Sequence, residues 1–280
     1  MLSFYLLTLR LFARVAYKLN EYLNYPFHKI WKIIYILLPK NKFYLTTITN
    51  HKVKILPKDH QQTLYATGKS GFQISDFISK INYPFVFIDI GANHGIYTLD
   101  AHKNPFLISS HSIEPNPESF LYLIDNIKYN SIKPAHFYNF ALGKSNDKVT
   151  LTVHPWHSGL SNLARRGGER QILVDSRDHS LFDLIYKKNL NCFYVIKCDT
   201  EGLEPVVIRN LLNSKISKFI SSLMIEITPE WLNLDDEKKI INDIGSLGFR
   251  SMDIKEIIKG KKQKDIILER ELFLNQFINN

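Results

Sequence analysis

Two glycines and four carboxylates carry the spacing of a ligand site. The run Phe85-Val86-Phe87-Ile88-Asp89-Ile90-Gly91-Ala92-Asn93-His94-Gly95 reads as a buried strand, an acid near its end, and a tight turn between Gly91 and Gly95 into a helix over Ile96 to Ala101. Glycines in such a turn let backbone pass close to a ligand. Glu114 ends the next apolar strand, 25 residues after Asp89, where an acid about 20 residues beyond a dinucleotide loop meets ribose hydroxyls. Neither His94 nor Ile96 is the further glycine that would complete the six-residue dinucleotide fingerprint, so a pyrophosphate cradle is disfavoured. A cofactor with a ribose and no phosphates fits better, and S-adenosylmethionine is the common one. Asp89 would then order the loop and meet the amino-acid end of that cofactor, with Gly91, Asn93 and Gly95 lining its path. A strand-to-helix turn with no ligand is the plain alternative.

Asp199 and Glu201 leave the end of another apolar strand, Phe193 to Cys198, at the edge where open α/β sheets bind ligands. A positioned carboxylate there can remove or orient the proton of an alcohol. Asp199 is the first candidate for that role and Glu201 the second, and Lys197 can pair with either. The plain alternative, stronger for Glu201 than for Asp199, is that the two acids cap a helix starting near Glu204. Asp199 and Glu226 end neighbouring strands, but two acids are too few to predict a metal. His154 and His157 flank Trp156 in an inserted Ser/Gly-containing segment. Sugars stack on aromatic rings, so Trp156 and His157 are the candidate acceptor contacts, with buried packing the alternative for Trp156. Arg165, Arg166, Arg170 and Arg177 can grip an anionic acceptor or simply face solvent.

Four motifs in order carry a family resemblance: Phe87 to Gly95, Glu114-Pro115-Asn116-Pro117, Ala141-Leu142-Gly143, and Ile196-Lys197-Cys198-Asp199-Thr200-Glu201-Gly202-Leu203-Glu204. Together they resemble the FkbM-type S-adenosylmethionine-dependent methyltransferases over roughly residues 84 to 230. The resemblance implies an α/β fold with a seven-stranded Rossmann-like sheet whose last strand is antiparallel. It adds Asn116 and Ala141 to the expected cofactor contacts, and it implies O-methylation of a sugar, glycolipid, polysaccharide or related metabolite. Thr200 and Pro205 depart from the family pattern; both carboxylates remain, and Pro is tolerated in the first turn of a helix.

The elements that must position these residues follow from apolar periodicity. Beyond a β-hairpin within Thr46 to Leu56, strands are expected at Phe85–Ile90, Ser112–Ile113, His136–Leu142, Phe193–Cys198 and Phe219–Ile227. Helices are expected at Glu118–Asn130, Leu181–Lys187, Glu204–Leu212 and Asp235–Leu247. Val149–Val153 and Gln171–Val174 read as an inserted antiparallel pair, and Arg250–Ile254 with Asp265–Leu274 as a terminal hairpin. The resulting organisation is an amphipathic helical arm at 1–42, a β lead-in and linker at 43–84, and a methyltransferase domain at 85–280.

The chain of 280 residues has a formal charge of +9, and the arm accounts for most of it: seven basic residues stand there against Glu21 alone. Charges interrupt both apolar runs of the arm too often for a span of about 20 residues. An interfacial helix on anionic lipid and a helical pair packed on the domain both remain open. The weakly basic remainder argues against a nucleic-acid partner, leaving an RNA methyltransferase and a noncatalytic membrane-associated binding protein as the alternatives to an enzyme acting on hydroxyls. Cys192 and Cys198, six residues apart along one strand, are too distant to pair, which suits a reducing compartment. The expected location is cytoplasmic, with peripheral attachment at the inner face of the membrane left open by the arm.

Overall fold

The computed structural model describes residues 43–47, 49–55, 59, 61, 72–154, 157–161, 170–189, 192–229, 232–250, 255, 256, 258 and 264–270. The arm at 1–42, Trp156, Arg165 and Arg166 lie outside them. Among the described residues, no helix is long and apolar enough to cross a membrane.

A hairpin of β1 (Phe43–Thr46) and β2 (Lys52–Ile55) opens the described chain. Its turn carries Asn50 at φ +60, a left-handed conformation that Asn tolerates. The amphipathic helix α1 (Phe72–Lys80) follows. Beyond it, strands and helices alternate as β3 (Phe85–Ile90), α2 (Ile96–Ala101), β4 (Leu107–Ile113), α3 (Pro117–Tyr129) and β5 (Ala135–Tyr138). An inserted region supplies β6 (Ala141–Leu142), β7 (Lys148–Val153) and β8 (Arg170–Arg177). The alternation resumes with α4 (Ser180–Lys188), β9 (Phe193–Cys198), α5 (Glu204–Asn213), β10 (Ile220–Ile227), α6 (Leu234–Ser246) and β11 (Lys264–Glu269).

The main sheet has the order β11-β10-β9-β3-β4-β5. All its pairings are parallel except that of β11 with β10. From β3 the chain winds outward to β5, then returns to β9 on the other side, so β3 and β9 flank the topological switch point where such sheets bind ligands. Pleating sends alternate residues of β3 to opposite faces. Val86, Ile88 and Ile90 join a core with α4, α5 and α6, whereas Phe85 and Phe87 pack with Ile74 and Ile78 of α1 and Tyr97 and Ala101 of α2. Burial on both faces explains why β3 is apolar at every position but Asp89.

Several expectations are corrected. The main sheet has six strands among the described residues, not seven. The last strand, β11, pairs antiparallel with β10; the partner expected for it in a terminal hairpin falls at residues 251–254, which with 271–274 lie outside the described set. The strand expected at Ser112–Ile113 begins at Leu107. Its buried Ser110 and Ser112 bond to His102 and Thr98 respectively, so polar side chains satisfied inside the core interrupt the apolar signal. The strand expected over His136–Leu142 is divided at Asn139, whose amide donates to the carbonyls of Glu114 and Pro115. Beyond this turn Ala141 and Leu142 leave the main sheet and pair with β8, which also pairs with β7.

Candidate active site

The loop after β3 is held by backbone contacts from both neighbouring strands. Gly91 and Ala92 donate to the carbonyl of Ile113 at the end of β4, both at 3.0 Å. Asp199 donates its backbone N–H to the carbonyl of Ile90 at 3.1 Å. Gly91 adopts φ +74, and a Cβ there would sit 1.8 Å from the carbonyl oxygen of Asp199. Glycine is therefore required both by conformation and by the close passage of β3 and β9. Asn126 of α3 donates to the carbonyl of His94 at 2.9 Å and accepts from the N–H of Lys54 at 2.7 Å. One side chain thus ties the loop to the hairpin, a link between segments that sequence spacing does not reveal.

Glu114 emerges beside this loop. Its Oε2 accepts the N–H of Asn93 and its Oε1 the N–H of Asn116, both at 2.8 Å. Burial pushes its pKa up to about 7, against the pull of the Asn116 and Asn93 amides. Each carboxylate oxygen has two lone pairs, so each can accept one further hydrogen bond from a hydroxyl. The Asn116 side chain is used locally, accepting from the N–H of Glu118 at the start of α3.

On the other side of the switch point, Lys197 is buried beneath the loop. Its Nζ donates to the carbonyl of Gly91 at 3.0 Å and to Asp199 Oδ2 at 3.2 Å, and lies 3.8 Å from Asp89 Oδ1. Lys197 thus partners Asp199 and Asp89. Asp89 is fully buried, and its Oδ2 accepts from Thr98 Oγ1 at 2.8 Å. Burial raises its pKa, and Lys197 opposes that rise.

Asp199 and Glu201 do not cap α5. Glu204, the first residue of α5, turns back to the loop instead: its carboxylate accepts the N–H and hydroxyl of Thr200 at 3.2 and 3.0 Å and the N–H of Gly202 at 3.1 and 3.0 Å. Glu201 takes φ +54 and is 9% exposed. Its Oε2 has no hydrogen-bond partner. Burial, with the Asp199 and Glu226 carboxylates nearby, pushes its pKa up to about 9.

These parts enclose a cavity of about 320 Å³, within the range of small-molecule sites. Of the residues that the sequence offers as ligand contacts, Gly91, Asn93, Glu114, Ala141, His157, Asp199 and Glu201 line it. Asp89 and Gly95 are not on its wall, and Asn116 lines the adjacent cavity with His94, Tyr122 and Arg170. Phe140, Leu142 and Leu151 add apolar surface, and Gln61, Ser158 and Gly159 a polar rim. Ser158 accepts from the Asn93 amide at 3.1 Å and donates its N–H to Asp59 at 3.3 Å. The rim residues come from segments distant in sequence and carry no motif of their own. The donor set suits S-adenosylmethionine: a carboxylate for a ribose diol, an apolar wall for an adenine ring, and glycine backbone beside them.

The family profile described as "Methyltransferase FkbM domain" matches residues 89–251. No curated protein matches the chain in sequence. Among solved structures, a protein from Streptococcus mutans described as a putative S-adenosylmethionine-dependent methyltransferase is 8% identical, with a TM-score of 0.45 over 83% of this chain and 56% of that one. A precorrin-6y C5,15-methyltransferase from Geobacter metallireducens is 12% identical, with a TM-score of 0.36 over 64% of this chain and 70% of that one. The Pyrococcus abyssi tRNA (uracil-54, C5)-methyltransferase, solved with S-adenosyl-L-homocysteine, is 11% identical, with a TM-score of 0.39 over 76% and 39% of the two chains.

Proposed function

Because the chain belongs to the FkbM methyltransferase family, whose profile covers more than half of it, and its cofactor is S-adenosylmethionine, we propose that it methylates a hydroxyl of a sugar, glycolipid, polysaccharide or related metabolite. The observation that carries this reading is the meeting of two differently held carboxylates, Glu114 and Asp199, on the wall of one cavity. When bound, S-adenosylmethionine supplies an electrophilic methyl carbon on a sulfonium.

Glu114, whose two oxygens are fixed by the backbone N–H groups of Asn93 and Asn116, would hold the cofactor's ribose hydroxyls. Gly91 and Asn93 present backbone beside it, and Phe140, Ala141 and Leu142 form the apolar wall for the base. At the acceptor end, Lys197 fixes Asp199 through Oδ2, and Asp199 takes the proton of the acceptor hydroxyl as oxygen attacks. General-base assistance of this kind contributes typically 10²–10⁴-fold, and the rest of the rate comes from holding the reactants in near-attack geometry. Glu201, with its pKa near 9, holds its own proton at neutral pH. It therefore orients the acceptor by hydrogen bonding instead of removing a proton. His157 contacts the acceptor from the rim; Trp156, the other acceptor contact expected from the sequence, lies outside the described residues. Residues 1–42 would keep the enzyme at an anionic membrane surface, where a glycolipid acceptor is within reach.

Mass spectrometry of glycans and lipids from cells with and without the gene tests this function. A one-methylene mass difference on a hydroxylated glycan or lipid is expected. The same difference confined to RNA would replace the reading with an RNA methyltransferase. Co-sedimentation with anionic liposomes tests the arm, since binding unchanged by deletion of residues 1–42 would exclude its membrane role.

A further inference from the structure

We infer that Asp199, Glu201 and Glu226 form a binding site for one divalent cation of the magnesium or manganese class. One carboxylate oxygen from each residue lies within 4.8 Å of the others. Oxygens on opposite sides of a single hard cation are separated by twice the metal–oxygen distance, about 4–5 Å, so the three can converge on one ion with small side-chain rotations. The donors are all carboxylate oxygens, which suit magnesium, manganese or calcium and not zinc or copper.

A cluster of acids alone would not establish a site, and Glu201 supplies the second observation. It is 9% exposed, its Oε2 has no hydrogen-bond partner, and the residue lines the cavity beside Asp199 and Glu226. A buried carboxyl oxygen without a partner is costly, and a cation at this point would satisfy it, displacing the proton that Glu201 holds when no ion is bound. The backbone aims it there: Glu201 at φ +54 and Gly202 at φ +102 reverse the chain after β9, while Glu226 projects from β10. Lys197 occupies the inner side of the cluster through Asp199 Oδ2. Asp265, opposite Glu226 in the β10–β11 register, adds further negative charge near Asp199.

All three ligands line the cavity, so the remaining coordination positions are within reach of water or the acceptor. A hydroxyl bound to such an ion loses its proton more readily. The ion would therefore add to the proposed reaction by lowering the acceptor pKa. The site itself stands or falls independently of that reaction.

The test is manganese binding to the full-length, chelator-stripped protein, followed by electron paramagnetic resonance, for wild type, Glu226→Gln and Glu201→Gln. One saturable Mn²⁺ per chain is expected for wild type. Affinity should fall at least about tenfold in each variant, as for loss of one charged ligand, with the unfolding midpoint checked to show that each variant folds. Absence of saturable binding up to about 5 mM Mn²⁺ in wild type, or unchanged binding in folded Glu226→Gln, would overturn the inference. Calorimetry with S-adenosylmethionine on the same samples separates the two claims: cofactor binding without Mn²⁺ binding removes only the ion site, and Mn²⁺ binding without cofactor binding removes only the transfer reaction.

Discussion

Replacing Gly91 with alanine tests how the cofactor loop is built. At φ +74 a side-chain-bearing residue incurs about 1–2 kcal/mol of left-handed strain. The new Cβ would also stand 1.8 Å from the backbone carbonyl oxygen of Asp199. That carbonyl cannot swing aside freely, because the N–H of the same residue is bonded to Ile90 at 3.1 Å. Relieving the overlap must push β9 from β3, and overpacking of this kind costs about 1–3 kcal/mol more. The sum, about 2–5 kcal/mol, corresponds to a fall in the unfolding midpoint of roughly 5–15 °C for a chain of this size. Gly95→Ala is the internal comparison. It has a similar strain at φ +80, but its Cβ would meet the terminal Cδ1 of Leu123, which can rotate. Thermal unfolding of both variants, with calorimetry of S-adenosylmethionine binding, should show Gly91→Ala as clearly the less stable and the weaker binder. A Gly91→Ala midpoint within about 2 °C of wild type, or one above that of Gly95→Ala, would refute the reasoning.

Four further outcomes follow from the same geometry. Cofactor affinity should fall as pH drops below about 7, where Glu114 takes a proton, and Glu114→Gln should bind about 10- to 100-fold more weakly with that pH dependence lost. In the absence of cofactor, the raised pKa of Glu114 means that the folded state holds the extra proton between pH 4.5 and about 7; its contribution to stability therefore declines as pH rises through that window, and denaturant titrations of wild type and Glu114→Gln should converge toward the acid end. Removing the loop's acceptor with Glu204→Ala strips partners from Thr200 and Gly202 and should cost about 2–4 kcal/mol, measured by urea unfolding. Lys197→Met leaves the Asp89 and Asp199 carboxylates without their buried cation, a loss of about 3–5 kcal/mol, with the midpoint falling further at pH 8 than at pH 5 because Asp89, whose pKa burial raises, loses the opposing charge of Lys197.

The glycine loop and the acid beside it are legible in the sequence because their signal is local. Gly91 and Glu114 each follow an apolar strand by a fixed offset, and the parallel pairing of β3 with β4 brings them together. What stayed hidden depends on packing between distant segments. Glu204 and Glu201 are alike in sequence as acids before a helix, and only the turn at Glu201 and Gly202, both at positive φ, gives the loop amides to Glu204 and leaves Glu201 facing the cavity. Glu226 shares that wall because β9 and β10 pair in parallel with Lys197 opposite Met224, a register that periodicity does not fix. Helix α1 went unread inside the lead-in, although Ile74 and Ile78 are spaced to bury one face against β3. The strand β4 was shortened for the opposite reason, since its polar residues are buried and bonded where the pattern suggests exposure.

The central claim is that this site binds S-adenosylmethionine and uses Asp199 to pass its methyl group to a hydroxyl. The most direct measurement compares transfer of a labelled methyl group to a purified glycolipid and glycan fraction by wild type and Asp199→Asn, with cofactor binding measured alongside. The account predicts ether-linked label with wild type, and cofactor binding within about threefold of wild type with transfer reduced by about 10²-fold or more in the variant. Transfer by Asp199→Asn at the wild-type rate would contradict it.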